Sequence, residues 1–431
     1  MPKVVLINPP LSSKYPIQPT TECPGDMFHP CLGLAYLAAT CEKGGYEVII
    51  LDLSIHPMDE PALSKALKDF KGGIAGITAM TATYPNALDC ARIAHNLGYL
   101  TVMGGPHVTF DFENTLKTGW VDYVVRGEGE ETFLELLTYL DTQKDIAQVA
   151  GIAYLEDNVC KVTEVRRRIQ DLDSLPPPAY HLLDMKTYAG LNAIGTLTSR
   201  GCPFACRFCS CSRMWGRKVT YHSPKKVFME LVHLVSTYDY FGKDITFFDD
   251  CFTCSQRRVM ELCDLIISAK INLRWKCMTR VDKLNAALLR QMSEAGCYRV
   301  TIGIECVTDE SLRYANKRIN LMQVRTAVDM ARKAGLETEG YFIIGFPWQK
   351  REDLFDTIEA IGLFGLDSTG LALLTPFPGT DFYVNRSKWK LTVDNSDWER
   401  FTTLLPIIST PNFSKRDIAE AFVTYLARYG T

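Results

Sequence analysis

Long runs of one kind are what this 431-residue chain lacks. Its 47 Lys and Arg stand against 50 Asp and Glu, for a formal net charge of −3, and no extended cationic tract is present. Neutralising many phosphates is therefore excluded, so no nucleic acid partner is expected. No uncharged apolar stretch reaches the ~20 residues that span a bilayer, so no membrane partner is expected. There is no internal repeat or low-complexity tract. The chain opens Met-Pro-Lys and enters a strand, without the charged and apolar regions of a signal peptide. The one short basic cluster, Arg166-Arg167-Arg168, reads as a solvated turn.

Cysteine is abundant, at 15 residues. Thiols without an export signal point to a reducing compartment, the cytoplasm, and to anaerobic life. Most of them read as small buried hydrophobes. At 47% hydrophobic and 23% charged residues, the chain is of ordinary globular composition and long enough for two or three domains.

Residues 1–145 alternate strands and helices: strands at 3–8, 46–51, 74–78, 100–103 and 123–126, helices at 32–43, 61–70, 87–97 and 131–140. This predicts an α/β fold with a Rossmann-like parallel sheet, whose ligands lie beyond the strand carboxyl ends. The turns there are 8–10, 78–83, the tight loop 104–107, and 127–130. Residues 146–190 read as a connector with a hairpin at 152–162 and a proline-rich link at 171–178. A second series over 191–380, with strands at 193–198, 245–248, 273–279, 299–303, 339–344 and 370–374, predicts a partial (β/α) barrel. Residues 381–431 form a small, largely helical capping region ending in a helix over 415–429.

The most informative stretch is Arg200-Gly201-Cys202-Pro203-Phe204-Ala205-Cys206-Arg207-Phe208-Cys209, directly after the first strand of the second series. A [4Fe-4S] cube normally takes four thiolates. Three on one loop leave one iron open to a small molecule. A zinc site would pair two C-x2-C units or add histidines, and no histidine lies near. Three free buried thiols are the remaining alternative.

The motif resembles that of the radical S-adenosylmethionine (SAM) enzymes, and the resemblance spans residues ~1–380, most specifically at the cysteine loop. It implies a [4Fe-4S] cluster on Cys202, Cys206 and Cys209, with SAM on the open iron. Phe208 matches the family aromatic beside the adenine. Asp249 lies in a segment similar to D-D-x-F, and Arg280 ends a strand. Glu305 lies in a segment similar to I-G-x-E, and Gly345 in a Gly-Phe-Pro turn; all are implied to bind SAM. Trp215, Tyr221 and Trp348 are candidate pocket aromatics. Cys211 and the pair Cys251 and Cys254 raise an auxiliary iron site, although two cysteines at that spacing are weak support.

The N-terminal part resembles the cobalamin-binding domain fused to one class of these enzymes. The matching residues are Asn8, Pro9, Thr78, Thr81, Gly104, Gly105, His107, Gly127 and Glu128 at the strand ends. Many cobalamin proteins coordinate cobalt through a D-x-H-x-x-G histidine in the first loop, where this chain has Asn8-Pro9-Pro10. Cobalamin is therefore expected base-off, without a histidine ligand, with Asn8, Leu11 or a residue near Tyr84 over the lower face. His56 reads as a surface residue and His107 as near the nucleotide tail.

Together the resemblances imply a cobalamin-dependent radical SAM methyltransferase. One SAM methylates cobalt; a second yields a 5′-deoxyadenosyl radical that removes hydrogen from an unactivated sp3 carbon, which then takes the methyl group. The family's methylase of a glutamine in methyl-coenzyme M reductase has a comparably compact layout, and implies a peptide or protein substrate, with a small molecule as the alternative. A low-potential electron donor is required. Rival readings are a radical SAM cyclase or ring-rearranging oxidoreductase, and a non-catalytic cobalamin-binding or electron-transfer protein.

Overall fold

Apolar strands alternate with capped helices throughout the computed structural model, which describes residues 3–11, 28–142, 145–394 and 397–430. The described chain separates into two compact units, Met1–Ala193 and Ile194–Thr431.

The first unit runs β1 (Val4–Asn8), α1 (Leu32–Lys43), β2 (Val48–Asp52), α2 (Glu60–Phe70), β3 (Ile74–Thr78), α3 (Tyr84–Asn96), β4 (Leu100–Gly104), α4 (Pro106–Lys117), β5 (Tyr123–Val125), α5 (Glu130–Thr142), β6 (Ile152–Glu156), β7 (Val159–Val162) and α6 (Met185–Gly190). Its seven-stranded sheet has the order β2-β1-β3-β4-β5-β6-β7. Pairing is parallel through β5. The hairpin β6–β7 is antiparallel, and its turn residues Asp157 and Asn158 take φ of 50° and 61°, as a tight primed turn requires. Central strands are apolar on both sides because helices cover both faces: Val4, Val5, Leu6 and Ile7 are wholly buried. Asp59 caps α2 by accepting from Ala62 N at 2.9 Å, an interaction worth about 1 kcal/mol.

Three expectations change here. The loop expected at 104–107 is cut short, since α4 starts at Pro106. Proline at its first turn is a start signal. Aromatic residues and a non-helical Asp111 (φ −124°) hide its period. The connecting segment 146–190 packs into the first unit: its hairpin extends the sheet, and Ala179 N donates to Ala35 O at 3.0 Å. Arg166 is not solvated; its side chain, 12% exposed, pairs with Glu131 and Glu135.

The second unit runs β8 (Ile194–Thr196), β9 (Ser199–Arg200), α7 (Cys211–Met214), β10 (Thr220–Tyr221), α8 (Pro224–Thr237), β11 (Asp244–Phe247), α9 (Gln256–Ala269), β12 (Arg274–Thr279), α10 (Ala286–Glu294), β13 (Cys297–Glu305), α11 (Asp309–Tyr314), α12 (Leu321–Lys333), β14 (Glu337–Ile344), α13 (Arg351–Ile361), β15 (Ser368–Leu373), α14 (Asp381–Val384), β16 (Thr392–Val393), β17 (Ile408–Ser409) and α15 (Lys415–Tyr429). Six strands form a parallel sheet ordered β15-β14-β13-β12-β11-β8, the open barrel expected. The C-terminal helix closes onto it: Tyr425 Oη donates to Thr369 O at 2.6 Å, and Arg351 pairs with Asp417 at 2.9 Å. No helix among the described residues is long and apolar enough to cross a membrane.

Candidate active site

The cysteine loop leaves β9 and is held from two sides. Beneath it, Thr198 N and Oγ1 donate to Asp249 at 2.7 and 2.6 Å, and Ser199 Oγ donates to the same carboxylate. Arg258 lies 3.7 Å from Asp249 and donates to Thr198 Oγ1 at 2.7 Å. On the other side, Asn316 Nδ2 donates to Ala205 O at 2.6 Å, and Arg207 N to Ala315 O at 3.1 Å. Burial pushes the Asp249 carboxyl up, opposed by the Arg258 charge and the hydroxyl donors. Asp249, expected beside SAM, has its buried carboxylate engaged at the base of the loop. Asp250, which is exposed, accepts from Gly201 N at 3.0 Å.

Burial pushes the Cys202 thiol up to about 12. At Cys206 burial raises the thiol, while the cations of Lys317 and Arg280 pull against it; Arg280 Nη1 lies 3.9 Å from the sulfur. Cys209 is drawn down by the Cys211 thiol, and Cys211 N donates to its sulfur at 3.4 Å. Among the described residues no three His, Cys, Asp or Glu side chains converge on a single metal ion. Three thiolates on one loop, faced by two cations, suit an anionic cube that spreads its ligands over separate irons. Cys251 and Cys254 add no third ligand.

Around Cys206 the strand ends bring together Arg280, Glu305 and Phe208. The residue that joins them is Lys317. Its buried ammonium donates to Glu305 Oε1 at 2.7 Å and lies 5.8 Å from the Phe208 ring. Burial works against the Lys317 charge, but Glu305 and Cys206 outweigh it and raise its pKa. Arg280 donates to Lys317 O at 2.6 Å and to Asp282 at 2.9 Å, and stacks 3.6 Å over Phe204. Glu305 adopts φ +70°, and a Cβ on Gly303 would overlap both its carboxylate and the Lys317 ammonium. One carboxylate and two cations can hold the charged ends of an α-amino acid. Gly345, at φ +93°, donates its N–H to Gln349 Oε1 at 2.9 Å and precedes Phe346, whose ring lies 6.2 Å from Phe208. Trp348 stacks 4.8 Å from Phe346.

Lys317 could not be found from sequence, because a lysine between Asn316 and Arg318 looks solvated. A second feature could have been: from Arg200 to Met229 there are seven Lys and Arg and no Asp or Glu. Arg213, Arg217, Lys218 and Lys225 of this segment are exposed.

In the first unit the expected residues all lie at strand carboxyl ends, with unequal freedom. Asn8 Nδ2 donates to Asp52 Oδ1 at 2.8 Å and to Ser54 Oγ at 3.2 Å, and Pro9 is buried. Gly105 takes φ +105°, and a Cβ there would meet Ala79 O at 2.8 Å and Thr78 Oγ1 at 3.1 Å. Gly127 takes φ +81° and faces open space; Gly104 meets nothing closer than 3.8 Å. Gly104 and Gly127 leave room for a flat ligand to approach the backbone, whereas Gly105 lets two loops pack together. Two of the expected residues are engaged within the unit. His107 is buried, 3.3 Å from Thr81 Oγ1 and 4.0 Å from the Tyr84 ring. The buried Glu128 carboxylate accepts from Ile169 N at 2.8 Å, anchoring the connecting segment. His56 is a surface residue, paired with Asp184 at 2.9 Å.

Comparison with known proteins finds a domain match in each unit. Residues 22–137 match the B12 binding domain and residues 196–361 the radical SAM superfamily. An uncharacterized methyltransferase of Pyrococcus horikoshii is 34% identical over 440 residues, covering 99% of this chain and 93% of that protein. The anaerobic magnesium-protoporphyrin IX monomethyl ester cyclase of Rubrivivax gelatinosus is 29% identical, covering 92% of this chain and 73% of that protein. In fold, the chain is similar to the radical SAM methyltransferase TsrM of Kitasatospora setae, solved with tryptophan substrate and a SAM analog. The TM-score is 0.77 at 16% identity, over 99% of this chain and 89% of that one. The chain belongs to the cobalamin-dependent radical SAM methyltransferase family.

Proposed function

We propose that this enzyme replaces hydrogen by methyl at an unactivated sp3 carbon. The observation that carries the reading is the pairing, in one chain, of a three-thiol loop faced by Arg280, Lys317 and Glu305 with a parallel sheet whose strand-end glycines leave its ligand edge open. When bound, the cluster and cobalamin supply a 5′-deoxyadenosyl radical from SAM and a carrier for the methyl group.

The chain's own residues would then bind and orient. Cys202, Cys206 and Cys209 hold the cluster. Lys317 and Arg280 face the SAM carboxylate, Glu305 its ammonium, and Phe208 the adenine. Asp249 and Arg258 fix the loop without touching SAM. Cobalamin sits base-off and without a histidine ligand over the β1, β3, β4 and β5 ends. His56 and His107, engaged as described, support that reading. Electrons come from a low-potential donor, and the cation-rich segment 200–229 suits an acidic one. As first substrate to try we take the family's peptide example, a glutamine of methyl-coenzyme M reductase.

The test is to incubate cluster- and cobalamin-loaded protein with SAM, reductant and candidate substrates, and to count products. Methylation requires 5′-deoxyadenosine and S-adenosylhomocysteine to rise together with a product heavier by one methylene. The similarity to a cyclase favours a second reading, ring formation without methyl transfer; deoxyadenosine would then rise with product while S-adenosylhomocysteine did not.

A further inference from the structure

Resting on the cobalamin reading above, we propose that Met80, in the loop after β3, covers the lower face of the bound corrin, the face that a histidine from the first loop coordinates in other cobalamin proteins. The strand order β2-β1-β3-β4-β5 reverses direction between β1 and β3. In open parallel sheets the ligand sits beyond the carboxyl ends at that point. The two segments leaving it are the turn at 8–11 and the turn at 79–83.

In the first, Asn8 is occupied: its amide is bound to Asp52 and Ser54, and Asp52 also accepts from Tyr188 Oη at 2.6 Å. In the second, the backbone is pinned along its length. Ala79 N donates to Gly104 O at 2.9 Å, His107 N donates to Ala79 O at 3.1 Å, and Met80 N donates to Thr83 Oγ1 at 3.1 Å. The glycine at 105 is what lets the two loops approach so closely. Ala79, Thr81 and Thr83 are buried at 0%, 7% and 8% exposure, yet Met80 between them is 55% exposed.

A scattered exposed apolar residue needs no explanation. Met80 differs because a fixed backbone holds it out of the core at the sheet's ligand-binding edge. Its unbranched, polarizable thioether can lie flat against a conjugated ring. Its sulfur is a soft ligand that competes poorly with imidazole for oxidised cobalt. A lower face covered this way excludes water and leaves cobalt weakly ligated from below.

The test uses the full chain loaded with hydroxocobalamin and reduced to cobalt(II), read by electron paramagnetic resonance and by dissociation constant. Wild type should give a base-off spectrum without nitrogen splitting, and Met80→Leu should match it. Met80→His should introduce splitting from one nitrogen. Met80→Ala should raise Kd about tenfold or more through lost apolar contact. Nitrogen splitting in wild type would put a nitrogen base on cobalt, a histidine or cobalamin's own benzimidazole, and overturn the inference. So would Met80→His without splitting together with an unchanged Kd in Met80→Ala. Wild type that binds no cobalamin would instead overturn the cobalamin reading itself.

Discussion

Replacing Asp249 separates holding the loop from holding the cofactor. Its side chain is 0% exposed and that of Arg258 is 8% exposed, with 3.7 Å between them. Removing one charge from such a pair strands the other, at a cost of about 3–5 kcal/mol. Asp249→Asn also turns an acceptor of three hydrogen bonds into a group with its own protons, facing Thr198 and Ser199 donors. We expect Asp249→Asn to lose about 3 kcal/mol or more in urea unfolding. Iron should also be retained poorly, because the loop that carries the thiols loses its base. Asp249→Asn with Arg258→Met should recover at least half the loss, since no buried charge is left unpaired. The reasoning is refuted if the single variant stays within about 1 kcal/mol of wild type, the range of exposed pairs, while its Kd for SAM rises. That pattern would place the carboxylate on SAM.

Alanine at Cys202, Cys206 or Cys209 should each abolish iron–sulfur absorbance and 5′-deoxyadenosine formation, and persistence of that nucleoside would sink the cluster assignment. Serine at both Cys251 and Cys254 should leave iron content unchanged, as measured by iron per chain. Lys317→Met should strand the Glu305 carboxylate, lowering stability by about 3–5 kcal/mol and weakening SAM binding; adding Glu305→Gln should restore stability but not SAM affinity. Arg217→Glu with Lys218→Glu should slow cluster reduction by an acidic ferredoxin, more so at low salt, and leave reduction by dithionite unchanged. A variant reduced by the ferredoxin as fast as wild type would remove this segment from electron entry.

Much of the architecture could be read from residue order. Period and breakers located all six strands of the second sheet, because each is a short run, alternating or apolar, bounded by turns. The cysteine loop stood out through its resemblance to the radical SAM motif. Helix α4 escaped because Phe110, Asp111 and Phe112 break its pattern and only Pro106 marks its start. Side-chain partners escaped for a different reason. Asp249 reaches Thr198 and Ser199, roughly fifty residues away in sequence, and Glu128 reaches Ile169 across the connecting segment. In sequence both are carboxylates at strand ends, where ligands bind; only packing shows that the chain itself uses them. Lys317 is the converse, a residue that looks solvated and lies buried beside Glu305.

The most direct test of methyl transfer needs no substrate. Protein carrying both cluster and cobalamin is reduced anaerobically, given SAM alone, and quenched for both SAM-derived products. A methyltransferase of this family should form S-adenosylhomocysteine in proportion to bound cobalamin, and lose it when cobalamin is left out. Deoxyadenosine without any S-adenosylhomocysteine, in protein shown to hold cobalamin, would contradict methyl transfer and leave radical chemistry of the cyclase kind.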